Sequence, residues 1–139
     1  MTRIVDADLD VDSHFDRVFR GYLARVARAA GVGLESCTVD LDVPVSAYIA
    51  LDWRLGRFPD RDLALLWHEV HGWSAAVEAI GGEGAIVLAY LDGDDVLPDP
   101  RTVVKFLAAL RAEDHSAGRP DPRALRRAGR HEELIERLA

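Results

Sequence analysis

Imidazole moves protons near neutral pH and ligates metals, so the run His68-Glu69-Val70-His71 is the first place to look for chemistry. A zinc hydrolase of the His-Glu-x-x-His type needs both imidazoles on one face of a helix. Here the second histidine comes one residue early, and the flanking residues alternate as a strand does. Positions three apart on a strand point to opposite faces. His14, His115 and His131 supply no defined third ligand. The expectation is a hairpin turn carrying two histidines, with no metal and no cofactor. Trp67 and Trp73 bracket that turn, while Tyr48 and Trp53 fall in the preceding strand-like stretch. Trp67 shares parity with Leu63 and Leu65, which makes it a core residue first. The alternative is a ligand groove or partner site that Trp67 and Trp73 form with His68 and His71.

Other polar constellations read more plainly. Phe58-Pro59-Asp60-Arg61-Asp62 could bind an anion through Arg61, but Pro-Asp favours a turn whose Arg57, Asp60, Arg61 and Asp62 neutralise one another. Asp92, Asp94, Asp95 and Asp99 lack the alternation and terminal glutamate of a calcium loop, and suit a solvated connection in which Asp99 caps a helix. Gly81-Gly82-Glu83-Gly84 sits between two strand-like stretches, where it reads as a hairpin turn and not a phosphate cradle. No serine lies in a G-x-S-x-G elbow, and Cys37 has no local signature of a nucleophile, so it reads as a small core residue.

The elements that would hold these residues follow from periodicity and punctuation. Residues 1–12 carry Asp6, Asp8, Asp10 and Asp12 on one parity and read as an acidic arm. Ser13 has the position of a helix N-cap with Asp16 three residues on. Phe15, Phe19, Tyr22, Leu23 and Val26 then form an apolar stripe that ends at Gly31. Five strand-length stretches follow, near 36–41, 45–52, 63–69, 74–80 and 85–91, the last three close enough to form an antiparallel meander. Asp99-Pro100 opens a second helix. Asp121-Pro122 is expected to open a basic final helix running toward residue 139, weakened at Gly129. The result is an α+β fold: an N-terminal helix, a mainly antiparallel sheet of four to five strands, and C-terminal helices. Its domain spans residues 13–112, with 113–139 as linker and basic helix.

With 139 residues, 49% of them hydrophobic, the chain can bury a single core. A net charge of −7 repels phosphate backbones, which makes nucleic acid an unlikely partner even though all but one of the 17 basic residues are arginine. No stretch has the length and apolarity of a membrane span, and the acidic start is unlike a secretion signal, so the expected location is the cytoplasm.

Pro44 to Glu78, with its AYIALD, FPDRD and ALLW…HGW marks, resembles a family of small uncharacterised actinobacterial proteins, and the likeness continues through VLAYL to Arg111. The resemblance implies a compact fold and no assigned catalytic residue. The leading functional expectation is a non-enzymatic protein-binding or regulatory protein. The competing one is a small enzyme or small-molecule-binding protein that uses the Trp67/His68/His71/Trp73 hairpin. Trp53 and Arg61 complete the candidate binding residues. A homodimer is also expected: Thr38–Val43, with Asp40 and Asp42 alternating against Val39, Leu41 and Val43, is the candidate open edge.

Overall fold

The computed structural model describes residues 2–79, 81, 84–114 and 116–138, with residues 2–11 described by backbone alone. Helix α1 covers Thr2–Ala29, followed by a 3-10 turn at Leu34–Ser36. Strands β1 (Cys37–Asp40), β2 (Ser46–Ala50), β3 (Leu63–His68), β4 (Gly72–Glu78) and β5 (Ala85–Tyr90) come next. Helices α2 (Pro100–Arg111) and α3 (His131–Leu138) complete the chain. The strands lie in chain order, every neighbour antiparallel, so the meander expected of the last three extends to all five. This is the α+β fold that alternation and short links imply.

One sheet face is covered. Ala47, Ile49, Leu63, Leu65, Trp67, Trp73, Ala75, Val77 and Ala89 form a single core with Phe15, Phe19, Leu23 and Val26 of α1, Val103, Phe106 and Leu107 of α2, and Leu134 of α3. Trp67 faces Trp73 across the β3–β4 pair. Each buried indole has a partner for its N–H: Trp67 Nε1 donates to the Val96 carbonyl at 2.6 Å, and Trp73 Nε1 donates to the Tyr22 hydroxyl at 3.0 Å. A buried donor left unpaired would cost about 1–3 kcal/mol, so these bonds allow both rings to sit in the core.

Two expectations about the helices are corrected. Ser13 is not an N-cap, because α1 begins at Thr2; Asp16 instead accepts from Arg20 one turn on. Ile4, Val11 and Phe15 keep a seven-then-four spacing, a helical signal that the alternating aspartates mask. The final helix is also shorter than expected, starting at His131 and not at Pro122. Gly129 and Arg130 take positive φ values of 92° and 51°, and Leu125 N–H, Gly129 N–H and the Arg126 guanidinium bond to groups outside any helix. Helix α2 matches its reading: Asp99 caps it by accepting from Arg101 N–H at 2.9 Å, with Pro100 at the first position.

The segment between α2 and α3 runs along β5. Tyr90 and Arg119 exchange backbone hydrogen bonds of 2.8 and 2.7 Å, and Gly118 packs beside them at φ 73°. A Cβ on Gly118 would meet the Tyr90 carbonyl oxygen at 2.5 Å and the Phe106 ring at 2.7 Å. Gly118→Ala is therefore expected to destabilise the fold by about 2–3 kcal/mol, combining left-handed backbone strain with overpacking. A fall in the urea midpoint checks this.

Candidate functional site

Alternation sends Thr38, Ser46, Tyr48, Leu66, His68, Ser74, Val87 and Tyr90 to the sheet face opposite the three helices. They line a groove of about 370 Å³, with Asp40 at one side and His68 and His71 at one end. Leu66 and Val87 give the groove an apolar lining, and Tyr48 and Tyr90 add two aromatic rings to it. Tyr48 Oη donates to Glu78 Oε1 at 3.3 Å, which places a second carboxylate beside the groove.

The two imidazoles stack with ring centroids 4.6 Å apart. Their partners define the tautomers. His68 Nδ1 accepts from Val70 N–H at 3.1 Å, which leaves the proton on Nε2. His71 Nδ1 lies 3.1 Å from the Arg123 carbonyl oxygen, which can only accept, so that nitrogen carries a proton and, in the neutral ring, the lone pair is on Nε2. Burial, and then the neighbouring His71, lowers the His68 pKa against a smaller upward pull from Glu69. When both rings are unprotonated, the pair offers one N–H donor beside one nitrogen acceptor. Chelation through both Nε2 atoms would break the Val70 bond, because a metal needs the lone pair where His68 holds its proton.

The hairpin read from sequence divides between two faces. His68 and His71 line the groove, whereas Trp67 and Trp73 point into the core on the other side of the sheet. Trp53 is half-buried under the Arg111 guanidinium, which lies 4.4 Å from its ring centroid near the end of α2. Arg61 sits in the β2–β3 loop, at the end of β3 away from His68. That loop turns as expected, with Phe58 N–H bonded to the Leu55 carbonyl and Arg61 N–H to that of Phe58, but Asp62 pairs with Arg54. His14 is exposed on α1, and His115, Gly82 and Glu83 lie outside the described residues. The candidate site is therefore the open-face groove.

Between the histidines, the sequence reading missed Glu69. Its carboxylate is fully buried and accepts from Val45 N–H at 2.7 Å, Arg126 at 2.7 Å and Gly129 N–H at 3.0 Å, with His131 Nε2 3.4 Å away. Burial pushes its pKa up, but the bonds from Val45, Gly129 and Arg126 and the charge on His131 outweigh that and hold the carboxyl below its ordinary value. The parity that marks Leu63, Leu65 and Trp67 as core-facing extends to Glu69, so its burial was readable; its partners, some sixty residues later, were not. Asp94 and Asp95 likewise bind Arg123 and Arg137, so the acidic loop, solvent-exposed as expected, also clamps the C-terminal segment. Arg123, Arg126 and Arg137 are thus engaged by acids of the same chain.

Cys37 is half-buried on the core-facing side of β1, and burial raises its thiol pKa. No helix among the described residues is long and apolar enough to cross a membrane.

Residues 22–109 match the model of a family of unknown function, DUF6292. No curated protein matches the chain, and no solved structure does. Every groove residue named above lies within the matched stretch, whereas Arg126, His131 and α3 lie beyond it.

Proposed function

The chain belongs to the DUF6292 family, and from that premise we propose that it is a non-enzymatic binding protein whose open sheet face takes up an extended, basic peptide segment of a partner protein. The observation that carries this reading is the groove itself: α1, α2 and α3 pack on one side of the sheet, and the other side keeps a groove lined by Leu66, Val87, Tyr48 and Tyr90. A peptide group presents a carbonyl and an N–H, which complement the His68 donor and the His71 acceptor. Leu66 and Val87 would receive an aliphatic side chain, with Tyr48 and Tyr90 closing over it. Asp40 and Glu78 favour a cationic residue, as does the net charge of −7, through steering of the encounter. Actinobacterial origin and a cytoplasmic location fit a regulatory protein of this kind and belong to the same proposal.

Panning displayed random peptides against the full chain tests the reading. Peptides enriched on the wild type should carry Lys or Arg beside an aliphatic residue. Their affinity should fall at least tenfold, about 1.4 kcal/mol, in Leu66→Glu, while the urea midpoint stays where it was. Enrichment of no peptide, or equal binding to both proteins, contradicts it. A second reading rests on size: a groove of about 370 Å³ also falls in the range that holds small molecules. A small ligand that saturates the groove while no peptide binds would favour that alternative.

A further inference from the structure

We propose that β1 pairs antiparallel with β1 of a second copy about Val39, joining two five-stranded sheets into one of ten. A meander in chain order has two edges, β1 and β5. The β5 edge is engaged at Tyr90 by the backbone of Arg119. Along β1 no strand pairs on the outer side among the described residues, so a row of backbone donors and acceptors faces outward. Among the described residues, three of the four exposed large aliphatics flank this edge: Leu34 at 42%, Leu41 at 41% and Val43 at 58% exposure. Such side chains beside an unpaired edge fit a strand that carries its own apolar residues, and this chain has one in β1.

The side chains select the register. Pairing about Asp40 sets two carboxylates opposite each other, which is repulsive. Pairing about Thr38 sets Leu41 against Glu35 of the second copy. Pairing about Val39 sets Asp40 against the Thr38 hydroxyl, which can donate to it, and Leu41 against the half-buried Cys37, and moves the Glu35 mismatch out to Val43, three residues past the strand. Residue partners then share a face, because Thr38 and Asp40 line the groove while Cys37 and Val39 pack toward the core. The helices of both copies lie on one side and the two grooves adjoin on the other. This inference stands apart from peptide uptake, since it concerns the backbone edge and is read by mass.

A four-residue strand with three flanking aliphatics makes a small interface, and small interfaces associate weakly. The −7 charge on each copy opposes association, so salt should strengthen it. Sedimentation equilibrium of the full chain should show the mass rising from 15.3 kDa toward twice that value as concentration approaches about 1 mM, with the midpoint at lower concentration in higher salt. Leu41→Glu, an exposed position, should keep the circular dichroism spectrum and raise the midpoint at least tenfold. In a Cys37→Ser background, Val39→Cys should oxidise to a covalent dimer faster than Asp42→Cys. A mass fixed at 15.3 kDa in both salts overturns the proposal, as does a dimer indifferent to Leu41→Glu.

Discussion

Glu69→Gln is expected to lower the unfolding free energy by about 3–5 kcal/mol, the loss typical of breaking a buried charge pair by removing one partner. Glutamine keeps an oxygen for Val45 N–H, but it cannot accept from Gly129 and Arg126 where the second carboxylate oxygen now does. Arg126→Met should cost less, because both backbone donors still reach the carboxylate. The pH dependence has a definite sign. A carboxyl held below its unfolded pKa, which is about 4.3, contributes stability above that pH and loses it as pH falls through the folded value. Urea midpoints of wild type and Glu69→Gln should therefore lie furthest apart from about pH 5 upward and converge on acidification. Asp95 and Asp99, also held low, weaken both proteins alike, so the difference isolates Glu69. Parallel midpoints from pH 7 down to pH 3 would contradict this reading of the cluster. Because Arg126, Gly129 and His131 all belong to the C-terminal segment, the variant should lose amide protection in α3 first.

Trp67→Ala should cost about 3–5 kcal/mol, since it empties a large volume at the centre of the core. Trp67 is 1% exposed, and its ring lies 4.5 Å from that of Phe19 between centroids. Trp67→Phe keeps most of the apolar contact and leaves the Val96 carbonyl without its donor, so it should cost about 1–2 kcal/mol. Denaturant unfolding of both variants measures the two terms separately. The same pair checks where the tryptophan acts. A core residue changes stability and leaves peptide affinity alone in Trp67→Phe, whereas a groove residue would change affinity at constant stability.

The periodicity that places Leu63, Leu65 and Trp67 on the core face also places His68 and Leu66 on the other, so the sheet and the division of its faces were legible from residue order. The hairpin was located correctly, yet treating Trp67, His68, His71 and Trp73 as one cluster joined residues that the pleat separates. Thr38, Tyr48, Leu66, Val87 and Tyr90 meet only through the register of five strands, which no local spacing specifies. The final helix was overextended for a similar reason. Residues 122–130 have acceptable helical composition, but Glu69 and Val70, far back in the chain, take the hydrogen-bonding groups that a helix would use. At the N-terminus, four alternating aspartates suggest period two, while the spacing of Ile4, Val11 and Phe15 agrees with the helix that forms.

The central claim is that the open sheet face is the binding surface, and nuclear magnetic resonance mapping of an enriched peptide onto the full chain tests it most directly. Titration should shift the amides of Thr38, Tyr48, Leu66, Ser74, Val87 and Tyr90 and the ring resonances of His68 and His71. The amides of α2, on the opposite side of the sheet, should stay in place. Shifts confined to α1, α2 or α3, with the His68 and His71 rings unmoved at saturating peptide, would contradict it.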